Sequence, residues 1–172
     1  MSEYRAQAHL DAPVDEVWAL VGNPATYPQW WPAAVEIRGE TFEVGDVYTQ
    51  VLPRFAGRRS EYTRIIDQRD ELKELKWSCP TTGGFQHWTL TAAQGGTFVD
   101  MEMGLRPASR RYRLFERSLG RWFIKRWAEQ AMDGLRRTLA SPPSSEAQST
   151  AQSPEVETPP SAASGEVSKP II

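Results

Sequence analysis

Cysteine is almost missing from this chain. Cys79 stands alone among 172 residues, which excludes an internal disulfide and any multi-cysteine zinc site. Histidine is scarce too, with only His9 and His87, and no H-E-x-x-H pair brings two imidazoles onto one helix face. A glycine-rich phosphate loop and a G-x-S-x-G nucleophile elbow are also lacking. No apolar run approaches the roughly 18 residues of a membrane span. The opening "MSEYRAQAHL" shows no basic stretch leading into an apolar one, as a signal peptide would. These absences lead us to expect a soluble, cytoplasmic protein with no metal site, no cofactor and no assignable catalytic residue.

What is present suits one globular domain. The chain is 40% hydrophobic and 24% charged. A domain of this size buries roughly 68–70% of its unfolded surface, enough to fold without a covalent staple. The net charge is −2, unevenly spread. Residues 1–105 hold 9 Lys/Arg against 15 Asp/Glu, residues 106–139 hold 10 against 3, and residues 140–172 hold 1 against 4. The last segment is rich in Pro, Ser, Ala and Glu and has no aromatic residue. It cannot bury enough apolar area to offset its ordering entropy, so residues 140–172 read as a disordered tail and residues 1–139 as the ordered domain.

Within that domain, hydrophobic period assigns the elements. "YRAQAHL" alternates, with Tyr4, Ala6, Ala8 and Leu10 on one face, as a half-buried strand does. "DAPVDEVWALVGN" reads as a helix, with Pro13 at its start, Asp15 and Glu16 in the positive first turn, and Val14, Val17, Trp18 and Val21 at helical spacing. Next comes "TYPQWWP", where Pro28 and Pro32 argue against a regular helix or central strand. An extended bridge there would point Trp30 and Trp31 in opposite directions, one into the core and the other to the rim of whatever the fold encloses. Six strand-like runs follow, at about 34–40, 46–52, 61–67, 72–79, 85–92 and 97–105. Turn-rich separators such as "PTTGG" and "AQGG" make them an antiparallel meander.

The basic stretch from Arg110 to Leu139 closes the domain. Ile124, Trp127, Ala128, Ala131, Met132, Leu135 and Leu139 share one arc of a helical projection. Tyr112, Phe115, Leu119, Trp122 and Phe123 form another, centred roughly 160° away at 100° per residue. One straight helix cannot bury both. Either the chain breaks near Ser118-Leu119-Gly120, or the first arc faces something else.

The order strand, helix, Pro-rich aromatic segment, strand meander and long terminal helix resembles the START-like (helix-grip) superfamily, in particular its polyketide cyclase/dehydrase group. "LDAPVDEVWALVGNPATYPQWWPAAVEI", "FEVGDVY" and "QHWTLTAAQGGTFVDMEM" carry the likeness, which spans about residues 3–139. The resemblance implies an α+β fold: a curved antiparallel sheet of about seven strands wrapped around the terminal helix, with one or two short helices after the first strand and a cavity inside. Strand parity then supplies wall candidates. Gln86 and Trp88 share one face, Met101 and Met103 another, and Trp77 looks inward on its run. Parity is ambiguous on the third and fourth strands. Tyr48/Gln50 with Tyr62/Arg64 form one possible inward set, and Val47/Thr49/Val51 with Thr63/Ile65 the other. Trp30, Trp31 and Trp127 complete the candidates.

The superfamily includes carriers, receptors and cyclases, so fold alone does not choose among them. The resemblance implies binding of a hydrophobic or amphipathic small molecule, as carrier or sensor. Its alternative is a cyclase or dehydratase, which needs a cavity plus an Arg or Tyr to polarise a carbonyl. An inward Arg64 would be the most telling feature, because an unpaired buried guanidinium is costly unless a carboxylate or an anionic ligand meets it. His9 and His87 fall on polar faces as solvated residues, and Cys79 reads as a small buried hydrophobe. The run from Arg110 to Trp127 offers peripheral membrane or lipid contact, Arg outward and aromatics dipping in. The same run could instead close the cavity while its Arg side chains reach for water. Stacking on nucleic acid is the third reading of the run, and an acidic chain makes it unexpected.

Overall fold

The structure is a computed structural model that describes residues 2–53, 58–106 and 120–141. Seven strands form one antiparallel sheet: β1 (Ser2–Leu10), β2 (Glu36–Arg38), β3 (Val47–Pro53), β4 (Arg59–Asp70), β5 (Glu74–Ser78), β6 (Gly84–Ala93) and β7 (Gly96–Leu105). Their order across the sheet is β1-β7-β6-β5-β4-β3-β2. The meander runs from β2 to β7, and β1 closes onto β7 along its whole length, from Ser2 opposite Leu105 to Leu10 opposite Thr97. The helices are α1 (Val14–Val21), α2 (Tyr27–Trp30) and the long α3 (Arg121–Ala140), with a 3₁₀ turn at Pro24–Thr26 before α2. The α+β helix-grip architecture expected from the sequence is therefore present, and α3 packs on β1 and β7 and against α1 and α2. No described helix is long and apolar enough to cross a membrane.

The buried faces follow the periods of the sequence. Ala8 and Leu10 of β1, Leu75 and Trp77 of β5, Trp88 and Leu90 of β6, and Val99, Met101 and Met103 of β7 are buried on the side that α3 covers. On α3 the buried residues are Ile124, Ala128, Ala131, Met132, Gly134 and Leu135, with Trp127 and Leu139 half-buried beside them, which is the second arc of the projection. Residues 107–119 lie outside the described residues, and with them Tyr112, Phe115 and Leu119 of the first arc and the Ser118-Leu119 part of the place where a break was one of the two readings; Gly120 itself is buried with helical φ of −57° and ψ of −42°. Of the tail expected over residues 140–172, Ala140 ends α3 and Ser141 follows it, and residues 142–172 lie outside the described residues.

Two expectations need correction. The strand expected over 72–79 is shorter, Glu74–Ser78, because Leu72 takes a left-handed turn conformation with φ of 62°. The segment after α1 is also not extended. Asn23 Oδ1 accepts the Ala25 amide at 3.1 Å and opens the 3₁₀ turn, after which Tyr27–Trp30 completes one α-helical turn with Pro28 near its start. Proline breaks helix interiors, but its missing N–H costs nothing in a first turn, where that donor has no intrahelical acceptor. The two tryptophans consequently lie on a turn, not on opposite sides of a strand.

That turn is locked into the core. Tyr27 donates its hydroxyl to Val21 O at 3.0 Å, and Trp30 Nε1 donates to Thr26 Oγ1 at 3.2 Å. Trp30 meets Tyr27 and Trp88 edge-on, at centroid distances of 5.1 and 6.2 Å. The α2 backbone comes so close to α3 that a Cβ on Gly134 would stand 2.0 Å from the Trp30 carbonyl oxygen. Glycine at 134 is what permits that approach.

Candidate functional site

Pairing between β3 and β4 resolves the parity that the sequence leaves open. Tyr48 lies opposite Arg64 and Gln50 opposite Tyr62. Tyr48, Gln50, Arg64 and Ile66 are buried with Tyr62 half-buried, whereas Val47 and Thr63 are exposed; Val51 of the other set is buried too. The inward set is thus the polar one. A bulge between Ile66 and Gln68 then shifts the phase of β4. Beyond it Arg69 turns toward α1, hydrogen-bonded to the Gly22 carbonyl and lying over the Trp18 ring at 5.2 Å.

Between the sheet and α3 lies a cavity of about 600 Å³. Among the residues singled out from the sequence, Trp31, Gln50, Tyr62, Arg64, Trp77, Met103 and Trp127 line it. Trp30, Tyr48, Gln86, Trp88 and Met101 do not reach it; they are buried in the core. The tryptophan pair divides accordingly. Both indoles are buried and stack at 6.3 Å and 20°, yet only Trp31 reaches the cavity, its Nε1 donating to the Trp127 carbonyl at 3.2 Å. Phe123 and Trp127 face the cavity from α3, while Trp122 is exposed with Arg126 lying over its ring at 5.6 Å.

Sequence reasoning missed Thr82, Phe85 and Gly104 in the wall. Phe85 is out of phase with inward Gln86 and Trp88, so alternation points it away. It pairs with Gly104, however, and a Cβ there would lie 2.5 Å from the Phe85 ring. A glycine inside a strand pattern, opposite an aromatic residue, is the signal that could have found this packing.

The wall is mostly apolar, and its one charged group among the described residues is Arg64, which is 5% exposed. Its Nε donates to Gln50 Oε1 at 2.9 Å, and its guanidinium lies 4.3 Å above the Trp77 ring and 5.6 Å from the Tyr62 ring. Burial lowers the Arg64 pKa below its ordinary value, opposed by the neighbouring Cys79, Tyr48 and Tyr62. No carboxylate takes part in that balance among the described residues. Gln50 Nε2 is buried without a hydrogen-bond partner, as are the Tyr48 hydroxyl and the Trp77 indole nitrogen. Burial also raises the Tyr48 hydroxyl pKa far above its usual range. Cys79 is buried as expected. His87 stays outside the cavity, its Nε2 3.0 Å from Glu74 Oε2.

This geometry, a sheet gripping a terminal helix around a cavity, agrees with comparison to known proteins. The family model described as polyketide cyclase/dehydrase and lipid transport matches residues 1–140. The chain belongs to that family. Solved structures agree on the fold. A protein from Chromobacterium violaceum superposes with a TM-score of 0.66 at 13% identity, covering 82% of this chain and 99% of that one. One from Thermus thermophilus gives 0.64 at 16%, covering 80% and 96%, and one from Arthrobacter aurescens gives 0.66 at 14%, covering 82% and 87%. No curated protein matches the chain. Membership in this family supports a hydrophobic small molecule as the partner at that coarse level.

Proposed function

We propose that this member of the family holds a hydrophobic or amphipathic small molecule between its sheet and α3, as a carrier or sensor. The cavity carries this reading: about 600 Å³, walled mostly by apolar and aromatic side chains with a few polar groups. Small-molecule sites in proteins run to roughly 300–1,000 Å³ with this kind of lining. No carboxylate or imidazole occurs among the described wall residues, so none of them there is suited to move protons near neutral pH. That favours binding over turnover.

The test is native mass spectrometry on protein purified from its own host, compared with Ile124→Trp, which puts a large ring into the space. A co-purifying molecule lost in the variant is the expected result. Protein that carries none, and binds no apolar dye in an Ile124-dependent way, would refute it. A second reading, a cyclase or dehydratase acting on a polyketide-like substrate, is favoured by one observation. Arg64 and Tyr62 share the wall, where a guanidinium could polarise a carbonyl. Turnover of a poly-β-ketone substrate, abolished in Arg64→Gln, would establish it.

A further inference from the structure

We infer that the ligand is a monoanionic amphiphile whose acidic oxygens sit against Arg64, an inference that rests on the cavity-binding reading above. A guanidinium keeps its proton in a protein and carries five N–H donors. In Arg64 the Nε hydrogen is taken by Gln50 Oε1, and the other polar neighbour that meets the group is the buried Cys79 thiol. The group is nonetheless almost wholly withdrawn from water. A buried charge without an ionised partner is among the less favourable arrangements a fold can retain, and here the Trp77 ring and neutral thiol and phenol groups meet the guanidinium but no described carboxylate does.

The surroundings are built to face an anion. Nη1 lies toward Gly84, 3.6 Å from where a side chain there would begin, and Thr82 Oγ1 lies 3.2 Å from the same point, so the guanidinium and the hydroxyl converge on one part of the wall. Thr82 Oγ1 already accepts the Gly84 amide at 3.1 Å, which leaves its hydroxyl proton to donate. Gln50 turns its carbonyl to Arg64, and its unpartnered Nε2 is a further donor at the same wall. Guanidinium, hydroxyl and amide are all donors. A carboxylate or a similarly acidic enol satisfies them; an alcohol satisfies them partly, and an amine is repelled. One fixed positive charge calls for one negative charge. The rest of the wall, including Leu52, Phe85, Leu105 and Ile124, takes an apolar body.

The test uses the neutral dye N-phenyl-1-naphthylamine as a reporter of the cavity, displaced at pH 8 by dodecanoic acid, 1-dodecanol or dodecylamine below their aggregation concentrations. In the unaltered protein the acid should displace the dye at a concentration at least about tenfold below that of the alcohol, with the amine weakest. In Arg64→Gln that preference should vanish, the acid losing far more affinity than the alcohol. Alcohol matching acid in the unaltered protein overturns the inference, as does a preference that survives Arg64→Gln. The first comparison needs no variant, so it stands even if Arg64→Gln fails to fold. Dye that no competitor displaces, bound equally by Ile124→Trp, would instead refute the cavity reading itself and the inference with it.

Discussion

Replacing Gly134 with Ala sets two well-calibrated effects against each other. In a helix interior the change should stabilise by about 1 kcal/mol, the difference in helix propensity. The new methyl, however, would stand 2.0 Å from the Trp30 carbonyl oxygen, 3.0 Å from its carbon and 3.4 Å from Cε3 of its ring. The obstruction is main chain, so no rotamer relieves it, and α2 or α3 must move by more than an ångström to restore van der Waals distance. Overpacking of this kind costs roughly 1–3 kcal/mol, and more when backbone must shift. Taking the upper part of that range, because main chain must shift, and subtracting the propensity gain, we expect a net loss of about 1–2 kcal/mol, read as a Tm lower by roughly 3–8 °C for a domain of this size. Urea titration and calorimetry measure it. Because Trp31 follows directly on the displaced turn, cavity dye binding should weaken as well. A Tm unchanged or raised would refute the close approach of α2 to α3, since propensity alone would then govern the site.

Other expectations concern single side chains. Leu135 is fully buried, so Leu135→Ala should cost about 2–5 kcal/mol in denaturant titration, whereas Trp122→Ala, at a site 56% exposed, should stay within about 0.5 kcal/mol. Asp100 accepts hydrogen bonds from Arg5 and Gln7, and the Arg5 contact holds its pKa below the usual carboxylate value. A depressed carboxylate contributes stability that is present above the unfolded-state value, about 3.9, and lost as pH falls through the folded value. Asp100→Asn should therefore flatten the acid limb of a Tm-against-pH profile below about pH 4, and an unchanged limb would refute this. Cys79 is 1% exposed, so Ellman's reagent should label it only in denaturant; rapid labelling of the native protein would contradict its burial.

Much of the fold was legible in local pattern, and particular residues show why. The α3 core stripe could be read because a helix of twenty residues repeats its period often enough for Ala128, Ala131 and Leu135 to point one way. Strands β5 and β7 were equally plain, since Leu75 and Trp77, and Val99, Met101 and Met103, alternate with polar partners. Strand β3 was not, because both of its faces carry plausible core residues: Tyr48 and Gln50 on one, Val47 and Val51 on the other. The turn at "TYPQWWP" misled for a different reason. Its prolines are helix breakers by composition, and only their position in a first turn makes them helix starters.

Sequence alone determined the order of elements, the inward faces of the strongly periodic ones and the placement of an aromatic, cysteine-poor core, because these depend on contacts between residues near one another along the chain. Tertiary structure decided the rest. Registering Tyr48 against Arg64 turned the polar set of β3 and β4 inward. Folding α2 onto Gly134 chose Trp31 over Trp30 for the cavity wall. Those outcomes depend on which surfaces meet across long stretches of chain, and that is why a buried arginine facing an apolar cavity could be posed as a question from the residues but answered only by their packing.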